Sequence, residues 1–549
     1  MLKFIDYRTF IRLVVLTAFS SLIVLLIDPR LLTVGGILSL ISLAVLVSFF
    51  ICLFLHILEV SPKIRKYFEI ACYSVIALIT FIDVFLYVNF GIVIDETVFS
   101  ILEGTNIDEC KDFIQTYANW KTFLAMALLS AFYALTFYLT SFINKTQATY
   151  IGAVVLILLI CSVAKLSSSV YTTVRYGFGG HLAAYSTYSR IARSCVVYTN
   201  ITKETDRLIN NLQKWQAEDL KQTTVECDKM VVIIGESYSR YHSQLYGYDK
   251  ETSPLLMEKV QSGELIVYTD VITPINDTER AFRAIYSLGE YYSDVYCDCL
   301  LFPYIFKQAG YYTVNIDNMD LASSTNRVKD SEKLSELMFD YRNSEVGEYD
   351  EEILEWLDVN DCEHPKQLFV IKLLGQHYDY ADQFPDSWAR YDAKDYDRAD
   401  LPENKVQLIA DYDNATIYND FVVNSIIDHF KEDKAVVMYF SDHGEEVYDE
   451  RDYMGHGGTT PFLNYQFDIP FMIWMSESYK ESNPLEVKNL LAHKDCSYTI
   501  DDVSHTILDM AGISCSQLVP ERSLANEAFE PREERVILRS LVYDNMVKH

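Results

Sequence analysis

At 549 residues with a formal net charge of −31, the chain is too long for one ordinary domain and too acidic to be drawn to nucleic acid. Half of its residues are hydrophobic. They are unevenly spread, with apolar stretches dominating up to about Leu166 and an acidic, globular composition after it.

Five segments approach or reach the length needed to cross a bilayer core: residues 13–27, 31–56, 68–90, 123–142 and 150–166. Lys3, Arg8 and Arg12 precede the first, and no small-residue cleavage site follows it, so it reads as an anchor. Lys63, Arg65 and Lys66 follow the second span and Lys145 the fourth, while the loop after the third is mostly acidic. The basic stretches set the cytoplasmic side, and five crossings carry everything after Leu166 to the other face. In a cell with an outer membrane that is the periplasm. Cys110, Cys195, Cys227, Cys297, Cys299, Cys362, Cys496 and Cys515 then lie on the oxidising side, enough for up to four disulfides of unreadable pairing.

Residues 168–226 read as a connector, either short amphipathic helices on the membrane surface or a packed linker. From residue 227 the pattern alternates. Strand-like runs at 230–234, 266–272, 311–316, 367–374, 435–440 and 469–475 are interleaved with helix-like segments at 254–261, 300–309, 405–430 and 501–511. This predicts an α/β domain with a mostly parallel central sheet. The acidic, Tyr-rich stretches 339–365 and 378–403 read as surface loops.

Two strand ends carry chemistry. Met230-Val-Val-Ile-Ile234 runs into Gly235-Glu236-Ser237, and Ala435-Val-Val-Met-Tyr-Phe440 into Ser441-Asp442-His443-Gly444-Glu445. Reactive groups in such sheets collect at the carboxyl ends of strands. Glu236, Asp442 and His443 make a hard-oxygen-plus-imidazole cage for a divalent metal, with the Ser237 hydroxyl as fourth ligand and activated nucleophile. A helix opening after Ser237 would aim its amide groups at phosphate. His377, in Gly375-Gln376-His377, and His456, in Gly455-His456-Gly457, follow the same edge. They can hold phosphate oxygens, protonate a leaving group or bind a second ion. His242 and His505 fall on helices and read as packed.

These residues resemble the phosphoethanolamine transferases of the alkaline phosphatase/sulfatase superfamily, over nearly the whole chain. The resemblance rests on Gly235-Glu236-Ser237, Tyr246-Gly-Tyr248, Glu251-Thr-Ser-Pro254, Ser441 to Glu445, Gly455 to Gly457, and Tyr412-Asp-Asn414 with Tyr418 and Asp420. Two stretches depart from the family. Thr273-Pro-Ile-Asn-Asp-Thr278 stands where relatives carry Cys-Gly-Thr, with Thr278 as stand-in, and Asp317-Asn318-Met319 replaces Ser-Asn-Gln.

The resemblance implies a five-helix transmembrane domain (1–167), a juxtamembrane linker (168–226) and a periplasmic catalytic domain (227–549) of a monomeric inner-membrane enzyme. It implies a zinc site of Glu236, Ser237, Asp442 and His443, with Ser237 as nucleophile and His377 and His456 serving the phosphate or a second zinc. Thr105, Glu109 and Thr278 would contact substrate. The expected reaction moves phosphoethanolamine from phosphatidylethanolamine, through a covalent phosphoserine, to lipid A, core oligosaccharide or another glycan. Phosphoglycerol transfer, or phosphatase or sulfatase action, is the alternative.

Overall fold

The computed structural model describes residues 6–27, 34–58, 61–90, 93–94, 120–143, 187–215, 219–292, 298–319, 329–361, 364–456, 463–538 and 540–546. The chain divides into two compact units, Met1–Thr202 and Lys203–His549.

In the first unit, helices Tyr7–Ile27, Val34–Ile57, Pro62–Phe90 and Trp120–Ser141 pack side by side. Three stretches among the described residues are long and apolar enough to cross a membrane: Ser39–Ile57, Pro62–Val88 and Trp120–Ser141. That is fewer than the five expected. The first expected span falls within helix Tyr7–Ile27. Arg12 Nε donates to Thr140 Oγ1 at 2.8 Å, and Thr17 Oγ1 donates to Leu13 O at 2.6 Å. The fifth expected span, residues 150–166, lies outside the described residues. A buried ion pair joins Asp83, on helix Pro62–Phe90, to Arg190 at 2.6 Å.

The second unit is built on a seven-stranded sheet. Its strands are β1 (Lys229–Gly235), β2 (Leu265–Val267), β3 (Tyr312–Asp317), β4 (Tyr341–Arg342), β5 (Gln367–Lys372), β6 (Ala435–Ser441) and β7 (Phe471–Met475), in the order β2-β7-β6-β1-β5-β3-β4. Six run the same way; β7 runs against both its neighbours. The central strands are apolar throughout because both sheet faces are covered. Val232, Ile234, Val370 and Met438 enter one core, and Val231, Ile233, Ile371 and Val437 the other.

Helix Glu403–His429 covers the second face, and helices Phe302–Gln308 and Val503–Met510 the first. The expected strand 266–272 is broken: β2 stops at Val267, and Asp270–Ile272 pairs instead with Ser497–Thr499. No α-helix follows Ser237. The chain makes two 3-10 turns, Arg240–His242 and Gln244–Tyr246, ending in Gly247 with φ +95°. A helix that the sequence reading missed spans Thr278–Tyr286, capped by Asp277, whose side chain accepts from the Arg280 amide.

Of the cysteines expected on the oxidising side, Cys227, Cys496 and Cys515 are free thiols. Cys110, Cys297 and Cys362 lie outside the described residues.

Candidate metal centre and active site

Register brings the two motifs together. β1 and β6 are parallel neighbours with Gly235 opposite Ser441, so the residues that follow each strand emerge side by side. A Cβ at Gly235 would lie 2.2 Å from the Tyr439 hydroxyl, so the close packing of strand end against strand requires glycine there. Ser237 sits at φ +56°, a conformation that costs a non-glycine residue energy and persists only where surroundings impose it. The Tyr412 hydroxyl donates to Ser237 O at 2.6 Å, and Ser237 N donates to Asp442 Oδ1 at 3.2 Å.

Glu236, Asp442 and His443 are fully buried and offer ligand atoms within 4.8 Å of one another. His443 Nδ1 faces its Gly444 carbonyl at 3.1 Å, which leaves Nε2 to face the carboxylates. Nε2 lies 3.4 Å from both Glu236 Oε1 and Asp442 Oδ2. Asp442 Oδ1 accepts from the amides of Ser237 and His443, while the buried Oδ2 has no hydrogen-bond partner among the described residues. An orphaned buried carboxylate oxygen is costly unless a cation meets it. Burial raises the Asp442 carboxyl well above its ordinary range, with Glu236 adding to the rise. Burial also opposes the Glu236 charge, but the His443 imidazole and the Ser237 hydroxyl hold it below the usual carboxylate range. Two carboxylates and one imidazole without further charge compensation fit a divalent ion.

The hydroxyls divide unequally. Ser237 is 1% exposed, and its Oγ donates to Glu236 Oε1 at 2.7 Å. Thr278, at the head of helix Thr278–Tyr286, is half-buried. Its Oγ1 lies 3.2 Å from Glu236 Oε2 and 3.3 Å from His443 Nε2. Thr278, expected only as a substrate contact, therefore stands within the cluster.

A second group adjoins the first: His443, Glu445 and His456. His456 Nδ1 is 2.7 Å from Glu445 Oε2, and the His443 and His456 rings lie with centroids 3.9 Å apart and planes tilted by 42°. The Tyr380 hydroxyl donates to Glu445 Oε1 at 2.6 Å. Glu445 and Tyr380 received no role from sequence, although Glu445 stood two residues after His443 in a motif already singled out. His377 is exposed beyond β5 and belongs to neither group. Thr105 and Glu109 lie outside the described residues.

Behind the site, His242 ends the 3-10 turn Arg240–His242 instead of lying within an α-helix. It is buried between two carboxylates, with Nδ1 2.7 Å from Asp413 and Nε2 3.3 Å from Asp449. The Tyr248 and Tyr396 hydroxyls also donate to Asp413, at 2.8 and 2.6 Å. Burial works against the imidazolium, but Asp413 and then Asp449 raise its pKa from 6.5 to about 10. A raised folded-state pKa gives stability that is fully present below pH 6.5 and lost as pH climbs through 10. We therefore expect His242→Gln to destabilise the protein at pH 6 by about 3–5 kcal/mol, leaving two buried carboxylates without their cation. Urea unfolding should show the difference from wild type shrinking between pH 6.5 and 10. His505 behaves as expected of a packed residue: buried, accepting from Val519 N at 3.2 Å, and held neutral with its pKa lowered to about 3 by burial and then Arg522.

The sulfatase family model matches residues 228–513. Phosphoethanolamine transferase EptC of Escherichia coli K12 is 32% identical over 315 residues, which are 55% of this chain and 54% of that protein. The chain thus spans about half the length of the curated relatives it matches. The crystal structure of the C-terminal periplasmic domain of Escherichia coli EptC in complex with Zn superposes with a TM-score of 0.53 at 30% identity, covering 57% of this chain and 90% of that one. The integral membrane lipooligosaccharide phosphoethanolamine transferase A of Neisseria meningitidis superposes with a TM-score of 0.52 over 94% of this chain and 96% of that one. At 17% identity, this second match speaks for the fold alone.

Proposed function

This chain belongs to the sulfatase family, and we propose that within it the protein is a membrane-anchored, zinc-dependent phosphoethanolamine transferase. The observation that carries this reading is a hydroxyl, Thr278 Oγ1, held within hydrogen-bond reach of both Glu236 and His443 in a buried set with an orphaned carboxylate oxygen. Glu236, Asp442 and His443, with Thr278 beside them, would hold zinc. When bound, zinc would supply a Lewis acid that lowers the pKa of an adjacent hydroxyl and neutralises charge on phosphoryl oxygens.

The chain's own residues account for the rest. Thr278 Oγ1 forms a bond to the phosphorus of phosphatidylethanolamine as the phosphorus–oxygen bond to glycerol breaks. Glu236 Oε2, 3.2 Å away, accepts the hydroxyl proton. Diacylglycerol leaves, taking a proton from His456 or His377. An acceptor hydroxyl then attacks phosphorus, giving its proton to the imidazole that protonated diacylglycerol, as the bond from phosphorus to Thr278 Oγ1 breaks and Glu236 returns its proton to that oxygen. Ser237 and Tyr412 hold Glu236 and the strand-end turn in register. Five membrane spans, with the second unit in the periplasm, would keep the site beside its lipid donor and an envelope glycolipid or glycan acceptor.

The test is mass spectrometry of protein incubated with phosphatidylethanolamine and no acceptor. We expect one phosphoethanolamine adduct per chain on the peptide containing Thr278, with release of diacylglycerol. Protein that stays unmodified while diacylglycerol does not accumulate would overturn the proposal.

A further inference from the structure

The residues after Pro531 correspond to no motif, yet they close against both loops that carry the chemistry. Val536–Ile537 and Leu541–Val542 form a small antiparallel hairpin. Ile537 and Tyr543 are fully buried with Ile272 and Phe467 in an apolar cluster of their own. On one side the tail holds the segment leading to Thr278. Leu538 N donates to Pro274 O at 2.9 Å. Buried Arg535 donates through Nη1 to Asp270 O and Oδ1 at 3.2 and 2.9 Å, and through Nη2 to Asp544 Oδ1 at 2.6 Å.

On the other side the tail holds the turn at residues 464–468. The Tyr543 hydroxyl donates to Asp468 Oδ1, and Tyr241 to Asp468 Oδ2. That turn abuts the metal-ligand loop: Gly444 N donates to Gln466 O at 3.1 Å, and a Cβ on Gly444 would lie 2.2 Å from Tyr465 O. The turn and the Thr278 segment are also joined directly, Thr273 N donating to Phe467 O at 2.9 Å and Asn276 Nδ2 to Gln466 Oε1 at 2.8 Å.

The sheet itself does not fix these two loops to each other. His443 follows β6, but Thr278 follows Asp270–Ile272, which lies outside the seven-stranded sheet. We propose that residues 535–538 and 540–546 are a positioning brace that sets the Thr278 hydroxyl against Glu236 and His443, with Tyr543 and Arg535 as its two fastenings. The inference rests on Thr278 being the reacting hydroxyl. A hydroxyl moved by about 1 Å loses up to roughly a hundredfold in rate while substrate binding is little changed. The brace therefore acts on kcat and not on KM.

The test uses the full chain in detergent with phosphatidylethanolamine as donor and lipid A as acceptor. Tyr543→Phe keeps the ring in its apolar cluster and removes the hydroxyl that bonds to Asp468. We expect kcat to fall about tenfold or more, with KM and zinc content unchanged and amide exchange faster at residues 273–281. Arg535→Lys, which keeps the charge but loses the fork to Asp270 and Asp544, should act in the same direction and serves if Tyr543→Phe fails to fold. Unchanged kcat with unchanged exchange would overturn the brace, as would a loss that tracks zinc or KM. If wild type transfers nothing, the proposed function fails, and the exchange measurement still decides whether the tail orders the Thr278 segment.

Discussion

Replacing Thr278 with alanine is expected to lower the rate of phosphoethanolamine transfer by at least about a thousandfold, the scale on which removal of a covalent nucleophile acts. The same change should abolish the covalent adduct and leave the fold intact, because the side chain is half-buried and heads a helix already capped by Asp277. Ser237→Ala is the informative partner. It removes one hydrogen bond to a charged carboxylate, worth about 1.5–3 kcal/mol, or roughly 10- to 100-fold in rate, and the adduct should still form. The order of the two effects decides the assignment. If Ser237→Ala is inert and Thr278→Ala retains turnover and adduct, the nucleophile is Ser237, as the motif alone suggested.

Asp442→Asn separates metal binding from folding. The amide keeps the shape of the carboxylate and still accepts from the Ser237 and His443 amides through its oxygen, but it carries no charge to meet a cation. Zinc affinity should fall by about a hundredfold or more, since even groups supporting a ligand contribute 10- to 100-fold. Metal-free protein should move the other way. With one of two adjacent buried carboxylates neutralised, its resistance to urea should equal or exceed that of metal-free wild type. Elemental analysis and competition against a chromophoric chelator read the first effect, and denaturation in excess chelator the second. Full zinc occupancy in Asp442→Asn would remove Asp442 from the ligand set.

What the sequence revealed about this molecule follows from how strongly each signal was imposed. The runs that became β1 and β6 are apolar on both faces, so their ends, and with them Glu236, Asp442 and His443, could be located within a residue. Thr278 was harder. Helix Thr278–Tyr286 is short and carries Glu and Arg among its apolar positions, and the motif that marks this place in relatives is replaced. A capping Asp277 followed by Ala281, Phe282, Ile285 and Tyr286 at helical spacing was the available clue.

The helix expected after Ser237 failed for the opposite reason. Glu236 and Ser237 are committed to the strand-end cluster, and Tyr238 is drawn into the core between Ser243 and Ser253. The chain turns instead of continuing, and His242 becomes a buried cation rather than a helix residue. The tail offered no periodicity at all. Its order comes from Arg535 and Tyr543, whose partners at Asp270 and Asp468 are 265 and 75 residues away.

The Asp83–Arg190 pair bears on how the chain is made. Its members are 107 residues apart in the order of synthesis. At about 5–20 residues per second, Asp83 is delivered some seconds before its cation exists. On the proposed anchoring, the helix Pro62–Val88 would enter lipid with this acid unpaired to Arg190, at a cost of about 2.5–3.5 kcal/mol that its Ile, Leu and Phe residues would have to outweigh. Emergence of Arg190 would then supply the missing cation, so completion of this buried pair would wait on residues made 107 positions later.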